Sequence, residues 1–177
     1  MYYELSILAY LITGDRYGYE IKKYQSSLFA YSGSIQNSTL YPVLRKLTTA
    51  GYTMRMVSPA EHGADRVVYT ITPAGREYFV TELRLFPDNM TQKREFVVRL
   101  LYFSWMDRTS RVRLLNNYEK LLSKADTLTM PDILDSVPAS HVLSFLKRDA
   151  ENERKLIDEF RSLLDMPCTM DDHGNLL

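Results

Sequence analysis

The chain has 177 residues, 45% of them hydrophobic, with 22 Lys and Arg against 22 Asp and Glu. That composition supports a real core and excludes a disordered polyelectrolyte, and zero net charge excludes a broad electrostatic grip on nucleic acid while leaving room for a local patch. Cys168 is the single cysteine, which rules out an intrachain disulfide, and no apolar run approaches the roughly 18 residues of a membrane span.

The N-terminus opens directly into an amphipathic pattern, with no basic segment followed by a cleavable apolar one, so a cytoplasmic protein with no membrane partner is expected. Leu5, Leu8, Ala9 and Ile12 share one face of a first helix over Tyr3–Thr13, closed by Gly14. Tyr17, Ile21, Tyr24 and Leu28 repeat the pattern in a second helix, with Lys22 and Lys23 off the apolar line. A Ser- and Gly-containing loop follows at 30–36.

In the third helix Leu40, Val43, Leu44 and Leu47 form the apolar side. Ser38, Pro42, Arg45 and Thr49 lie opposite, edged by Tyr41 and Lys46. Pro42 is tolerable in the first turn, where N–H groups lack helical partners, so the helix is expected to start at Asn37, Ser38 or Thr39 and to end at Gly51. An ordinary amphipathic helix would look the same.

The period then changes. Met54 and Met56 alternate with Arg55 and Val57 as a half-buried strand, Pro59–Asp65 reads as a turn, and Arg66–Ile71 is a β-branched second strand. Thr72-Pro73 caps a fourth helix through Tyr78, Phe79, Leu83 and Phe86. Three helices, a hairpin and a fourth helix make a winged helix, in which the third helix enters the DNA major groove. Arg45 suits a guanine edge, and Ser38, Thr39 and the helix start suit phosphate.

Three stretches carry a family resemblance: LSILAYLITGDRYGYEIKKY (5–24), STLYPVLRKLTTAGY (38–52) and VVYTITPAGREYF (67–79). Gly18-Tyr19-Glu20-Ile21, Leu40-Tyr41-Pro42-x-Leu44 and Tyr69-x-x-Thr72-x-x-Gly75 hold most of it, and together they resemble the PadR family of bacterial transcriptional regulators. KREFVVRLLYFSWM (93–106) is similar to the helical C-terminal part of the longer, phenolic-acid-responsive members. The resemblance implies a homodimeric repressor that binds a palindromic operator in double-stranded DNA and answers a small effector. Its DNA-binding residues would be Lys22, Lys23, Asn37, Ser38, Thr39, Tyr41, Arg45, Lys46, His62 and Arg66. Two departures stand out: the wing tip from Glu61 to Arg66 is nearly neutral where family wings are rich in bases, and the helix over Thr72–Phe86 lacks the tryptophan that short members use to stack drugs.

The expected fold is mostly α with a small β-hairpin. Residues 1–86 form a winged helix-turn-helix portion, 87–91 a linker, 92–164 an all-helical dimerisation and effector portion, and 165–177 a disordered tail. Helices are expected over Lys93–Met106, from a Thr109 cap to about Thr127, and over Ser140–Leu164. The last has apolar ends and a charged middle from Lys147 to Lys155 that either faces water or pairs between subunits. Phe96, Tyr102, Phe103 and Trp105 are core aromatics by spacing, or walls of a pocket for a flat aromatic effector. The three histidines are scattered, and Cys168, Asp171, Asp172 and His173 sit together in the polar tail, so no metal or other cofactor is expected. No GxGxxG, P-loop, HExxH or GxSxG pattern occurs, which argues against an enzyme. The alternative function is a winged helix that binds protein without reading DNA.

Overall fold

The computed structural model describes residues 2–28, 35–58, 66–85, 93–127, 129 and 137–177. The described elements run α1 (Tyr2–Ile12), β1 (Arg16–Tyr17), α2 (Gly18–Leu28), α3 (Asn37–Thr49), β2 (Thr53–Ser58), β3 (Arg66–Ile71), α4 (Pro73–Arg84), α5 (Lys93–Leu101), α6 (Arg108–Asp126) and α7 (Val137–Arg161). This is a winged helix followed by helices. Among the described residues no helix is long and apolar enough to cross a membrane.

α1 is apolar almost all round, which is the signature of a buried helix. Leu5, Ile7, Leu8, Ala9, Leu11 and Ile12 are all buried, and α1 meets α2, α3, α4, α5 and β3. One hydrophobic cluster runs from Leu5 through Phe79 to Phe96, Tyr118 and Ile157, joining the winged helix to the C-terminal helices.

The sheet has three antiparallel strands in the order β1-β3-β2, where the sequence suggests only a hairpin. Arg16 faces Tyr69 and Tyr17 faces Val68. A two-residue strand has no alternation to read. β2 and β3 pair from Thr53 with Ile71 to Ser58 with Arg66. Met54, Arg55, Met56 and Val57 are all exposed, so β2 is an edge strand lying off the core rather than half-buried.

α3 begins at Asn37, the earliest of the expected positions, but its N-cap is Gln36 rather than Asn37, Ser38 or Thr39, with no capping side chain. Pro42 therefore sits in the second turn, inside the helix. Its ring removes the bond that residue 42 would donate to the Ser38 carbonyl, and Ser38 is solvent-exposed, which lets water satisfy that oxygen. The C-terminus is as expected. Gly51 takes φ +77°, the Gly51 N–H reaches Thr48 O at 3.1 Å, and the Tyr52 N–H reaches Leu47 O at 2.9 Å, a Schellman closure. In α4 Thr72 accepts the Gly75 N–H at 3.0 Å, with Pro73 at the first helical position.

The C-terminal helices differ from expectation in four places. The 93–106 helix stops at Leu101 and passes through a 3₁₀ turn, Phe103–Trp105. α6 is capped by Asp107, which accepts the Ser110 N–H, not by Thr109. α7 starts at Val137 and ends at Arg161. Its charged middle is answered within the chain in part, where Lys93 meets Asp149 at 3.2 Å and Glu153 at 2.6 Å and Arg154 meets Asp126 at 2.8 Å, while Arg148, Glu151 and Lys155 are exposed. Residues 165–177, expected to be disordered, instead fold back, with Met170 buried and bridged to Leu176. Polar composition hid two anchors there, a buried methionine and a run of backbone carbonyls bound by Arg111.

Candidate nucleic-acid interface

The side chains of Leu40, Leu44 and Leu47 bury one face of α3, which turns the opposite face outward. Asn37, Ser38, Thr39, Tyr41, Pro42, Arg45 and Lys46 are all exposed. The helix start has no capping side chain, and while the Thr39 and Leu40 N–H groups donate to Gln36 O at 3.0 Å each, the first two N–H groups and the short polar side chains around them suit an anion.

Arg45 also lines a cleft of about 650 Å³ between α3, the start of α2 and the sheet. Arg55 of β2 and Arg66 of β3 line it too, with Tyr17, Tyr19, Tyr41 and Tyr69. Among the described residues no carboxylate lines it and none of the three arginines has an ion pair. The Arg66 guanidinium lies 5.8 Å from the Tyr17 ring centre, and Tyr17 and Tyr19 stack at 5.8 Å. Three arginines lining one groove together with four tyrosines can hold the phosphates of a nucleic-acid backbone.

The second helix is set by its own first turn. The Tyr17 N–H donates to Glu20 Oε2 at 2.8 Å, half of a capping box. This fixes Tyr19, which is 61% exposed at the cleft rim. Lys23 lines a neighbouring hollow with Tyr10, Tyr19 and Tyr24, while Lys22 is half-buried.

The structure separates the other expected residues. Lys46 is occupied, its Nζ 2.6 Å from Glu4 Oε1, and its pKa is raised by that hydrogen bond and charge. It is tied to α1 rather than free for phosphate. His62 lies outside the described residues. Phe96, Tyr102 and Phe103 are buried and Trp105 half-buried. Phe96 stacks on Tyr118 at 3.7 Å, Phe103 meets Phe160 edge-on at 5.0 Å, and Tyr102 lies 5.0 Å from Trp105. Tyr102 shares a 2.8 Å hydrogen bond with Tyr24 of α2, and burial pushes its phenol pKa strongly up, so it stays protonated. Among the described residues no group of three His, Cys, Asp or Glu is placed to hold a metal ion.

Sequence reasoning did not find Tyr17, Tyr19, Arg55 or Tyr69. Arg55 alternates with Met54 and Met56 in a strand read as half-buried, yet all three are exposed, so the alternation did not single it out. What lacked a signal was the fold that brings β2 beside α3.

Residues 7–81 match the model of the Transcriptional regulator PadR-like family. The negative transcriptional regulator PadR of Bacillus subtilis (strain 168) is 25% identical over 177 residues, covering 91% of this chain and 94% of that protein. The crystal structure of Bacillus subtilis PadR in complex with operator DNA aligns with a TM-score of 0.45 at 23% identity, over 92% of this chain and 98% of that one. A transcriptional regulator from Clostridium thermocellum is 33% identical, with a TM-score of 0.41, over 45% of this chain and 76% of that one.

Proposed function

We propose that the chain, whose residues 7–81 match the PadR-like family of transcriptional regulators, is a homodimeric repressor which binds a palindromic operator through α3 and responds to a small aromatic effector. The observation that carries the DNA reading is the cleft beside α3, which Arg45, Arg55 and Arg66 line with no carboxylate among the described residues. In this reading Asn37, Ser38, Thr39 and Tyr41 meet backbone and base edges, Arg45 reads a base, and Arg55, Arg66 and Lys23 neutralise phosphates. The curated relative in Bacillus subtilis is itself a negative regulator, and a Bacillus subtilis PadR has been crystallised on operator DNA.

Residues 92–164 supply the dimer. α6 runs antiparallel to α7 and ends where Asp126 meets Arg154, so the first half of α7 projects past it. Val142, Phe145 and Leu146 are exposed there on one face, an apolar stripe that a second copy would cover. Two copies of α3 about 34 Å apart would read a two-fold site. Sedimentation at micromolar concentration checks this; a clean monomer would end the dimer reading. The effector would act at the seam where Tyr24 meets Tyr102 and where Phe79 lies 5.8 Å from Trp105. Titrating phenolic acids against Trp105 fluorescence tests that seam.

The deciding experiment titrates the protein into a labelled duplex from upstream of its own gene, against a scrambled duplex, across salt. The expected result is a preference for the native duplex, with log affinity falling linearly with log salt by about 0.9 per phosphate contact. Salt-insensitive, sequence-blind behaviour would move the function to a protein-binding winged helix.

A further inference from the structure

Residues 165–177 are held at both ends. At the root Arg111 of α6, 1% exposed, donates from Nη1 to the carbonyls of Leu164 at 3.0 Å and of Met166, and from Nη2 to the carbonyl of Pro167 at 3.2 Å. The Thr169 N–H reaches Ser104 O, in the 3₁₀ turn, at 2.8 Å. The chain then reverses around the Asp171 carboxylate, whose Oδ1 accepts the N–H groups of His173 and Asn175 at 2.9 Å each. The tip of that turn lands on α4. Arg76 Nη1 donates to Gly174 O at 3.1 Å, and Arg84 Nη2 meets Asp172 Oδ1 at 2.9 Å. Gly174 has φ +78°, and a Cβ there would lie 2.9 Å from both Arg76 Cβ and Arg76 O. Only glycine fits that approach without displacing the turn.

The other side of α4 is joined as closely to the end of α3. A Cβ on Gly75 would lie 2.0 Å from Tyr52 O, so the two backbones touch. Thr72 Oγ1 donates to Gly51 O at 2.7 Å, the Thr72 N–H donates to Tyr52 O at 3.1 Å, and the Tyr52 and Tyr78 rings stack at 4.1 Å. Gly51 and Tyr52 close α3. A continuous path therefore runs from α6 and the 3₁₀ turn, through the tail, across α4, to the helix that carries Arg45. Sliding α4 against α6 breaks the tail contacts; sliding α3 against α4 breaks the Gly75 contact.

We propose that residues 165–177 are a strap that positions α4, and through it α3, against the C-terminal helices, with Asp172 and Gly174 as its positioning residues. The consequence for operator affinity rests on the DNA reading given above; the mechanical coupling does not.

The test compares the full-length protein with Gly174→Val and with a chain ended after Met170, by amide hydrogen exchange and by operator titration across salt. In both variants the amides of 73–84 and 47–52 are expected to exchange about ten-fold faster or more, while those of α6 and α7 keep their rates. Operator affinity is expected to fall about ten-fold with the salt slope unchanged, because no phosphate contact is lost. Wild-type exchange over 73–84 in both variants overturns the strap, as does acceleration spread evenly over every helix. If the wild-type protein binds no DNA but 73–84 and 47–52 loosen together, the strap stands and the DNA reading falls.

Discussion

The two ends of the molecule treat positive charge in opposite ways. Among the C-terminal helices several cations are answered across helix pairs: Lys93 by Asp149 and Glu153, Arg154 by Asp126, Arg161 by Glu119. Two arginines there are withdrawn from water altogether, Arg99 at 0% and Arg111 at 1% exposure, and their guanidiniums are taken up largely by backbone carbonyls. In the cleft beside α3, Arg45, Arg55 and Arg66 stand together with no acid among the described lining residues. A chain of zero net charge thus presents a positive face by pairing its charges unevenly. The total says little about binding; the location of the unanswered charges says more.

The comparison is tested most severely at Arg99. It meets Glu95 at 2.8 Å and the carbonyls of Glu82 and Leu85 at 3.2 and 3.3 Å, so it fastens α5 to the end of α4. Arg99→Ala leaves Glu95 and those carbonyls without this donor and is expected to cost about 3–5 kcal/mol in urea unfolding. A cost below about 1 kcal/mol would mean that the buried cation is not structural, and the contrast with the cleft would fail.

Arg45→Ala is the opposite case. It is expected to cost about 1–3 kcal/mol of operator affinity and to relax sequence preference, while unfolding stays within about 0.5 kcal/mol of wild type. Arg55→Ala should weaken all duplexes alike and shallow the salt slope by about 0.9. If instead Arg45→Ala unfolds the protein and leaves the affinity of the folded fraction untouched, the two regions do not differ as argued.

The winged helix was legible because its signals are local. The 3.6-residue stripe of Leu40, Leu44 and Leu47, the Gly51 stop and the Thr72-Pro73 start each depend on neighbours in sequence. The misread features depend on partners far away. β1 exists because Arg16 meets Tyr69, and the tail is ordered because Arg111 collects its carbonyls. Pro42 was misplaced for a related reason: an N-cap preference for Asn, Ser or Thr is worth about 1 kcal/mol, less than the packing of α3 decides. At the interface Arg45 was found on its helix face, whereas Arg55 and Tyr19 reach the same cleft only through the tertiary fold.

The smallest effect lies where the two regions meet. Asp107 caps α6 with Oδ1 2.9 Å from the Ser110 N–H and Oδ2 2.7 Å from its hydroxyl, and it faces Arg84 of α4 at 3.4 Å. Burial pushes its carboxyl pKa up, but the Ser110 bonds and the Arg84 charge outweigh burial and hold it below the usual value. A depressed folded pKa means that the unfolded chain binds the proton more readily. The stabilisation is therefore complete above the unfolded pKa of about 4 and is lost as pH falls through the lower folded value. Asp107→Ala is expected to cost about 0.5–2 kcal/mol at pH 7, toward the lower end because the side chain is 43% exposed, and less at pH 3. Asp107→Asn keeps an acceptor for Ser110 without the titration, so its unfolding midpoint should respond less to acid than the wild type. Urea midpoints at the two pH values decide it: if wild type and Asp107→Ala differ equally at both, the cap acts through hydrogen bonding alone, and the charge of Arg84 contributes nothing at this junction.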